Sequence, residues 1–274
     1  MRQIEEGPGG YGGLPGRARP VLPLGLAALD AALPGGGLPL GALHEIEGER
    51  AEWDDGVTLG FCLALLARHQ ARFPGAGDIL WVSRQGDLYP PALAARGLDP
   101  GRLVLVRARN EADLFWAMEE GLRCRRLAAV VGEVEGLDRL AGRRLQLAAE
   151  ESLKNGAGGV TAFALHRRFR PRRRAREASA ALSRWRVTAA ASHDEADTAF
   201  IGRPRWRLDL LRCRGAAPGS WQVEWNDAAC GFSLAPALCD RPLAKGAPAK
   251  TQPAVGREPA RLRTAGLLAF RQAG

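Results

Sequence analysis

Hydrophobic positions along this chain switch between two periods. Apolar runs of strand length recur at Leu43–Glu47, Asp78–Ser83, Arg102–Arg107, Leu127–Val134 and Val160–Leu165. Between them lie stretches in which apolar residues return every three or four positions: Val57–Arg72, Pro90–Arg96, Glu111–Arg123 and Leu137–Ser152. In Glu111–Arg123 the stripe is Leu114, Phe115, Met118 and Leu122, the spacing of one helix face. A short helix is expected ahead of them at Leu24–Leu33, closed by the breaker Pro34-Gly35-Gly36-Gly37. Strand and helix in strict alternation, with short connections, predict an α/β fold. Its sheet is mostly parallel, with helices on both faces. The pattern then changes. Arg184–Ala189, Trp206–Arg212 and Trp221–Asn226 alternate every second residue between Gly/Pro turns, which predicts an antiparallel extension of the sheet on the C-terminal side.

The ends of the chain do not share this order. Residues 1–19 are rich in Gly and Pro and read as a disordered lead-in. Residues 20–242 read as one domain, and residues 243–274 as a flexible tail. Within the tail, the apolar and basic stretch Ala260–Arg271 is a candidate partner-binding segment. No apolar run reaches the length of a membrane span, and the N-terminus lacks the apolar centre of a signal peptide. Five cysteines form no C-x-x-C pair, the usage of a cytoplasmic protein with reduced thiols. The four histidines (His44, His69, His166, His193) lack metal-ligand spacing, so no metal or cofactor is expected.

Charge divides the chain. The formal net charge is +9, but residues 1–166 carry 18 Lys and Arg against 21 Asp and Glu, while the remainder carries 21 against 9. The second part should attract phosphate or an acidic partner.

The connection after the first long strand has the frame of a phosphate loop without its chemistry. Such a loop reads G-x-x-x-x-G-K-[ST]: glycines let backbone amides wrap the phosphates, the lysine meets the terminal phosphates, and the hydroxyl holds magnesium. Counted from Gly48, the second glycine is Trp53, the lysine is Asp54 and the hydroxyl is Asp55. Two carboxylates replace an ammonium, so the Coulomb term toward a polyanion changes sign.

The phrase LGLAALDAALPGGGLPLGALHEIEG, followed by ILWVSRQGDLYPPALAARGLDPGRLVLVRARNEADLFWAMEEGLR, resembles the RecA recombinase core. With the altered loop and the later phrases PRWRLDLLRCRG and GSWQVEWND, the chain resembles the ImuA family over roughly residues 20–227. These are RecA-like, also SulA-like, accessory proteins of bacterial damage-inducible mutagenesis. The resemblance implies a RecA-like fold. Carried across, the RecA catalytic glutamate falls on Gln85, which cannot act as a general base toward water. The magnesium-binding aspartate falls on Gly132, with Glu133 one residue late and expected to point to the other face of its strand. With Gly48, Trp53, Asp54, Asp55, Gln85 and Gly132 as the degenerate nucleotide site, no enzymatic activity is expected.

Two basic features remain. The run RRFRPRRRAR holds Arg167, Arg168, Arg170, Arg172, Arg173, Arg174 and Arg176 directly after the fifth strand, a candidate contact for DNA or a partner. In the later strands, alternation puts Arg205 and Arg207 on one face and Trp206 on the other, with the tryptophan expected in the core. The cluster Glu45, Glu47, Glu49, Glu52, Asp54 and Asp55 reads as a solvated acidic rim rather than a cation site. The expected function is a non-enzymatic adaptor of the SOS response supporting error-prone translesion synthesis. The partners implied by resemblance are an ImuB-type inactive Y-family polymerase subunit, RecA, an alpha-type error-prone polymerase and single-stranded DNA. Alternative readings are a SulA-like division inhibitor and an ATP-dependent RecA paralogue.

Overall fold

A computed structural model describes residues 19–50, 54–154, 158–167, 179–191 and 202–234. In chain order the elements are β1 (Val21–Leu22), α1 (Ala27–Ala32), β2 (Leu38–Pro39), β3 (Leu43–Gly48), α2 (Asp55–Arg72), β4 (Asp78–Ser83), α3 (Pro90–Ala95), β5 (Leu103–Arg107), α4 (Glu111–Arg123), β6 (Leu127–Val134), α5 (Arg139–Lys154), β7 (Thr161–His166), β8 (Ser183–Ala189), β9 (Arg205–Cys213), β10 (Gly219–Asn226) and β11 (Gly231–Leu234). Residues 1–18 and 235–274, which include the expected tail 243–274 and all but the last residue of the expected lead-in, lie outside the described residues.

Nine strands form one sheet in the order β11-β10-β9-β8-β3-β7-β6-β4-β5. From β8 to β5 every neighbouring pair is parallel, and β9, β10 and β11 add on as antiparallel strands. The fold is therefore α/β, mostly parallel, with an antiparallel C-terminal side. One detail differs from the sequence expectation: β8 (183–189) runs parallel to β3, and the antiparallel extension begins only at β9. Alternation within a strand reports which faces are buried, whereas direction is set by the partner it finds across the sheet.

Helices cover both faces. On one, α2 sets Phe61, Leu65 and Leu66 against Ile46, Trp81 and Phe163. The same layer continues under the C-terminal strands, where Phe61 stands 6.1 Å from Trp185, 6.2 Å from Trp206 and 5.9 Å from Phe232 between ring centroids. Trp206 is buried, as its alternation with Arg205 and Arg207 predicts. On the other face, Leu114, Met118 and Leu122 of α4 and Leu145 of α5 close over Leu80, Val130 and Ala162. Asn110 caps α4, its side chain accepting from the Asp113 amide at 2.8 Å. β8 through β10 turn their Trp and Val side chains into the α2 layer, leaving Arg184, Arg186, Asp209, Ser220 and Glu224 on the opposite face.

Candidate functional site

The C-terminal ends of β3, β4, β6 and β7 and the start of α2 meet at one rim, where sheets of this kind place ligands. The loop from Gly48 turns directly into α2, and Asp54 fills the turn. It is 1% exposed, and one carboxylate oxygen accepts from the Arg50 amide at 2.7 Å. The other oxygen has no partner among the described residues. A methyl on Gly48 would stand 2.5 Å from the Asp54 Cβ, so glycine here admits a carboxylate side chain. Trp53 lies outside the described residues.

One guanidinium holds the rim together. Arg167, immediately after β7, donates to Glu133 at 2.7 Å and to both oxygens of Asp87 at 3.0 and 3.1 Å. Its Nε stands 3.9 Å from Asp55, the first residue of α2. Glu133 is buried and also accepts from Trp81 Nε1 at 2.8 Å. Burial alone would make Arg167 a weaker base. The hydrogen bonds to Asp87 and the nearby Glu133 charge outweigh it and raise the Arg167 pKa above its ordinary value. Those same hydrogen bonds from Arg167 hold the Asp87 carboxyl below the usual carboxylate range.

Two expectations change here. Arg167, a candidate contact for DNA or a partner, is a half-buried pin among three carboxylates; Arg168, Arg170, Arg172, Arg173, Arg174 and Arg176 lie outside the described residues. Glu133, expected to face away from the loop, faces it through Arg167. Gly132 points to the opposite side, where a methyl would stand 2.1 Å from Met118 Sδ. Alternation along β6 holds, and it is Glu133 rather than Gly132 that faces the rim. Gln85 is exposed on the loop after β4 and joins none of these contacts. Asp87 carried no local signal beyond being an acid just past the C-terminal end of a parallel strand.

The acidic residues of β3 form no solvated rim. Glu45 is fully buried and Glu47 nearly so, because β3 lies between two strands rather than at an edge. Register sets Glu45 opposite Arg184 and Glu47 opposite Arg186. Glu45 Oε2 accepts from Arg184 at 2.5 and 3.0 Å and lies 3.0 Å from His166 Nε2, while Ser179 donates to its other oxygen. Burial would raise the Glu45 pKa, yet the His166 and Ser179 hydrogen bonds and the Arg184 charge bring it down to about 2. Arg186 continues the row, 3.2 Å from Glu47 and opposite Asp209, which in turn accepts from Ser220 at 2.6 Å. Of the rest, Glu49 is exposed, Asp55 is half-buried and Glu52 lies outside the described residues.

Chemically, among the described residues the rim turns side chains rather than an unpaired ammonium toward the place a polyphosphate would take. Its acids are turned onto Arg167 and its turn is closed by Asp54. Comparison with known proteins shows the family. Protein ImuA from two strains of Caulobacter vibrioides is in each case 40% identical over 233 residues, covering 82% of this chain and 93% of the relative. The chain belongs to the ImuA family. No protein-family model matches it. The arginine-pinned rim, the buried Glu45–Arg184 pair and the paired Arg/acid face of β8 to β10 are thus features of an ImuA-family protein. Among the described residues, no helix is long and apolar enough to cross a membrane.

Proposed function

We propose that this ImuA-family chain is a non-enzymatic, RecA-like adaptor of the SOS response. It supports error-prone translesion synthesis by docking onto an ImuB-type inactive Y-family polymerase subunit, with RecA, an alpha-type polymerase and single-stranded DNA as further contacts. The observation that carries the reading is Arg167. A cation of the chain itself stands among Asp55, Asp87 and Glu133, where a nucleotide-binding rim would receive magnesium and phosphates. Binding a nucleotide there would require breaking a desolvated ion pair as well as opening the turn closed by Asp54. A scaffold stabilised without ligand suits a protein whose surfaces, rather than its chemistry, do the work.

The test has two arms. Calorimetric titration of the full chain with ATP and magnesium should give no heat of binding at millimolar nucleotide, and the chain should co-purify with the ImuB-type subunit when the two are co-expressed. Micromolar ATP affinity lost on substituting Gly48 would replace the adaptor reading with an ATP-dependent one. Failure to co-purify would remove the ImuB-type subunit as the direct partner.

A further inference from the structure

β5 closes one edge of the nine-strand sheet, paired only with β4. Leu103 packs into the α2 layer and Val106 into the α4 layer, so alternation puts Leu105 on the first side and Val104 on the second. Both faces leave apolar surface in solvent: Val104 is 46% exposed and Leu105 50%. Natural edges are blunted by lysine, proline or a bulge. β5 has none of these, and its register with β4 runs unbroken from Leu103 to Arg107. A run apolar on both faces is the pattern of a strand with a neighbour on each side.

The backbone fixes what can pair there. The Ala108 amide donates to the Ser83 carbonyl at 2.9 Å. By alternation the backbone groups of Val104 and Val106 also point to β4, and those of Leu105 and Arg107 point outward. The Leu103 carbonyl points outward too, while its amide donates to the Pro100 carbonyl. Among the described residues no backbone group bonds to the outward amides of Leu105 and Arg107. Leu105 is also the centre of the palindrome Val104-Leu105-Val106. An antiparallel copy of β5 set about Leu105 would place Leu105 opposite Leu105 and each Val104 opposite a Val106. Each Leu103 would lie beside the apolar stem of Arg107. Arg102 would face Ala108 rather than another arginine, and its guanidinium is turned back onto the Pro74 and Gly77 carbonyls at 3.3 and 2.8 Å.

We propose that β5 is an interface with a second copy of this chain, paired antiparallel about a two-fold axis at Leu105 so that two sheets run on as one. The self-complementary register selects this occupant. A foreign strand would satisfy the same amides but make no use of the symmetry about Leu105. The chain's own continuation leaves from β11, at the far edge of the sheet. One five-residue strand makes a small interface, so the dimer should be weak, with a dissociation constant on the order of tens of micromolar. The inference does not depend on the adaptor reading.

The test joins sedimentation velocity to cross-linking, both on the full chain. The parent should pass from monomer to dimer as its concentration rises to about 100 μM. Leu105→Lys, which sets two ammonium groups opposite each other across the axis, should stay monomeric with an unchanged thermal melt, since position 105 is half in solvent. For cross-linking, the exposed Cys124 and the tail's Cys239 are first replaced by serine. In that background Leu105→Cys should give a disulfide-linked dimer on mild oxidation, because paired Cα atoms there stand about 5.5 Å apart, within disulfide reach. Arg107→Cys should not, because the two copies of position 107 are four residues apart along the strands, about 13 Å. A parent that stays monomeric at about 100 μM, a dimer that persists in Leu105→Lys, or Arg107→Cys cross-linking as readily as Leu105→Cys would each overturn the proposal.

Discussion

Arg167 donates to the buried carboxylate of Glu133 across 2.7 Å, joining the exit of β7 to the end of β6. Through this pair the first arginine of a strongly basic run becomes part of the scaffold.

Removing that cation should leave Glu133 buried with Trp81 as its remaining described donor. Arg167→Gln is expected to destabilise the chain by about 3 kcal/mol, the usual range for a broken buried pair. Denaturant melts of Arg167→Gln, Glu133→Gln and the double variant form a cycle. A coupling energy near zero would show that the pair is not what holds the rim.

Gly132→Ala should be more damaging than its size implies. The added methyl would stand 2.1 Å from Met118 Sδ, and overpacking of this kind costs about 1–3 kcal/mol. Combining it with Met118→Ala should recover part of the loss. Gly132→Asp should unfold the protein rather than create a magnesium site, because position 132 faces α4 and not the rim.

Stability should fall on mild acidification. His44 is fully buried: Nε2 donates to the Pro39 carbonyl at 2.8 Å, so Nδ1 accepts from Ser183 at 2.6 Å. Burial lowers the His44 pKa to about 4, and burial together with the Arg102 charge does the same for His69. Both are neutral in the folded state and take up a proton readily only when unfolded. Their contribution is complete above pH 6.5 and declines toward pH 4, by on the order of 3 kcal/mol each. Glu45, lowered to about 2, adds a further loss below pH 4.5. Urea melts across this range should show the decline, and His69→Gln should flatten it.

Single-stranded DNA binding, if it runs through the arginines beyond Arg167, should depend steeply on salt. Replacing Arg172, Arg173 and Arg174 by alanine should reduce the slope of log affinity against log salt by about 2. An unchanged slope in the triple variant would exclude these three as phosphate contacts.

The hydrophobic pattern specified most elements closely. β4, α4 and β6 begin and end where their apolar periods do, because each buries a continuous stripe whose spacing is local information. β1, β2 and β11 left no such trace, being two to four residues long. That no Gly-Lys-Ser/Thr follows Gly48 was also legible along the chain, since a motif is a matter of spacing. The role of the acids was not. Glu45, Glu47 and Asp54 look like a hydrated rim until β8 supplies Arg184 and Arg186 opposite β3 and the loop folds over Asp54.

The sequence alone therefore determined the alternating α/β layout, the inward Trp206 and the absence of a Gly-Lys-Ser/Thr after Gly48. Tertiary structure decided that β8 runs parallel, that Glu133 and not Gly132 faces the rim, and that Arg167 is an internal counter-ion. Period and motif are carried by neighbours in sequence, but strand direction, facing and ion pairing depend on residues as far apart as Glu45 and Arg184, which meet only when the sheet closes.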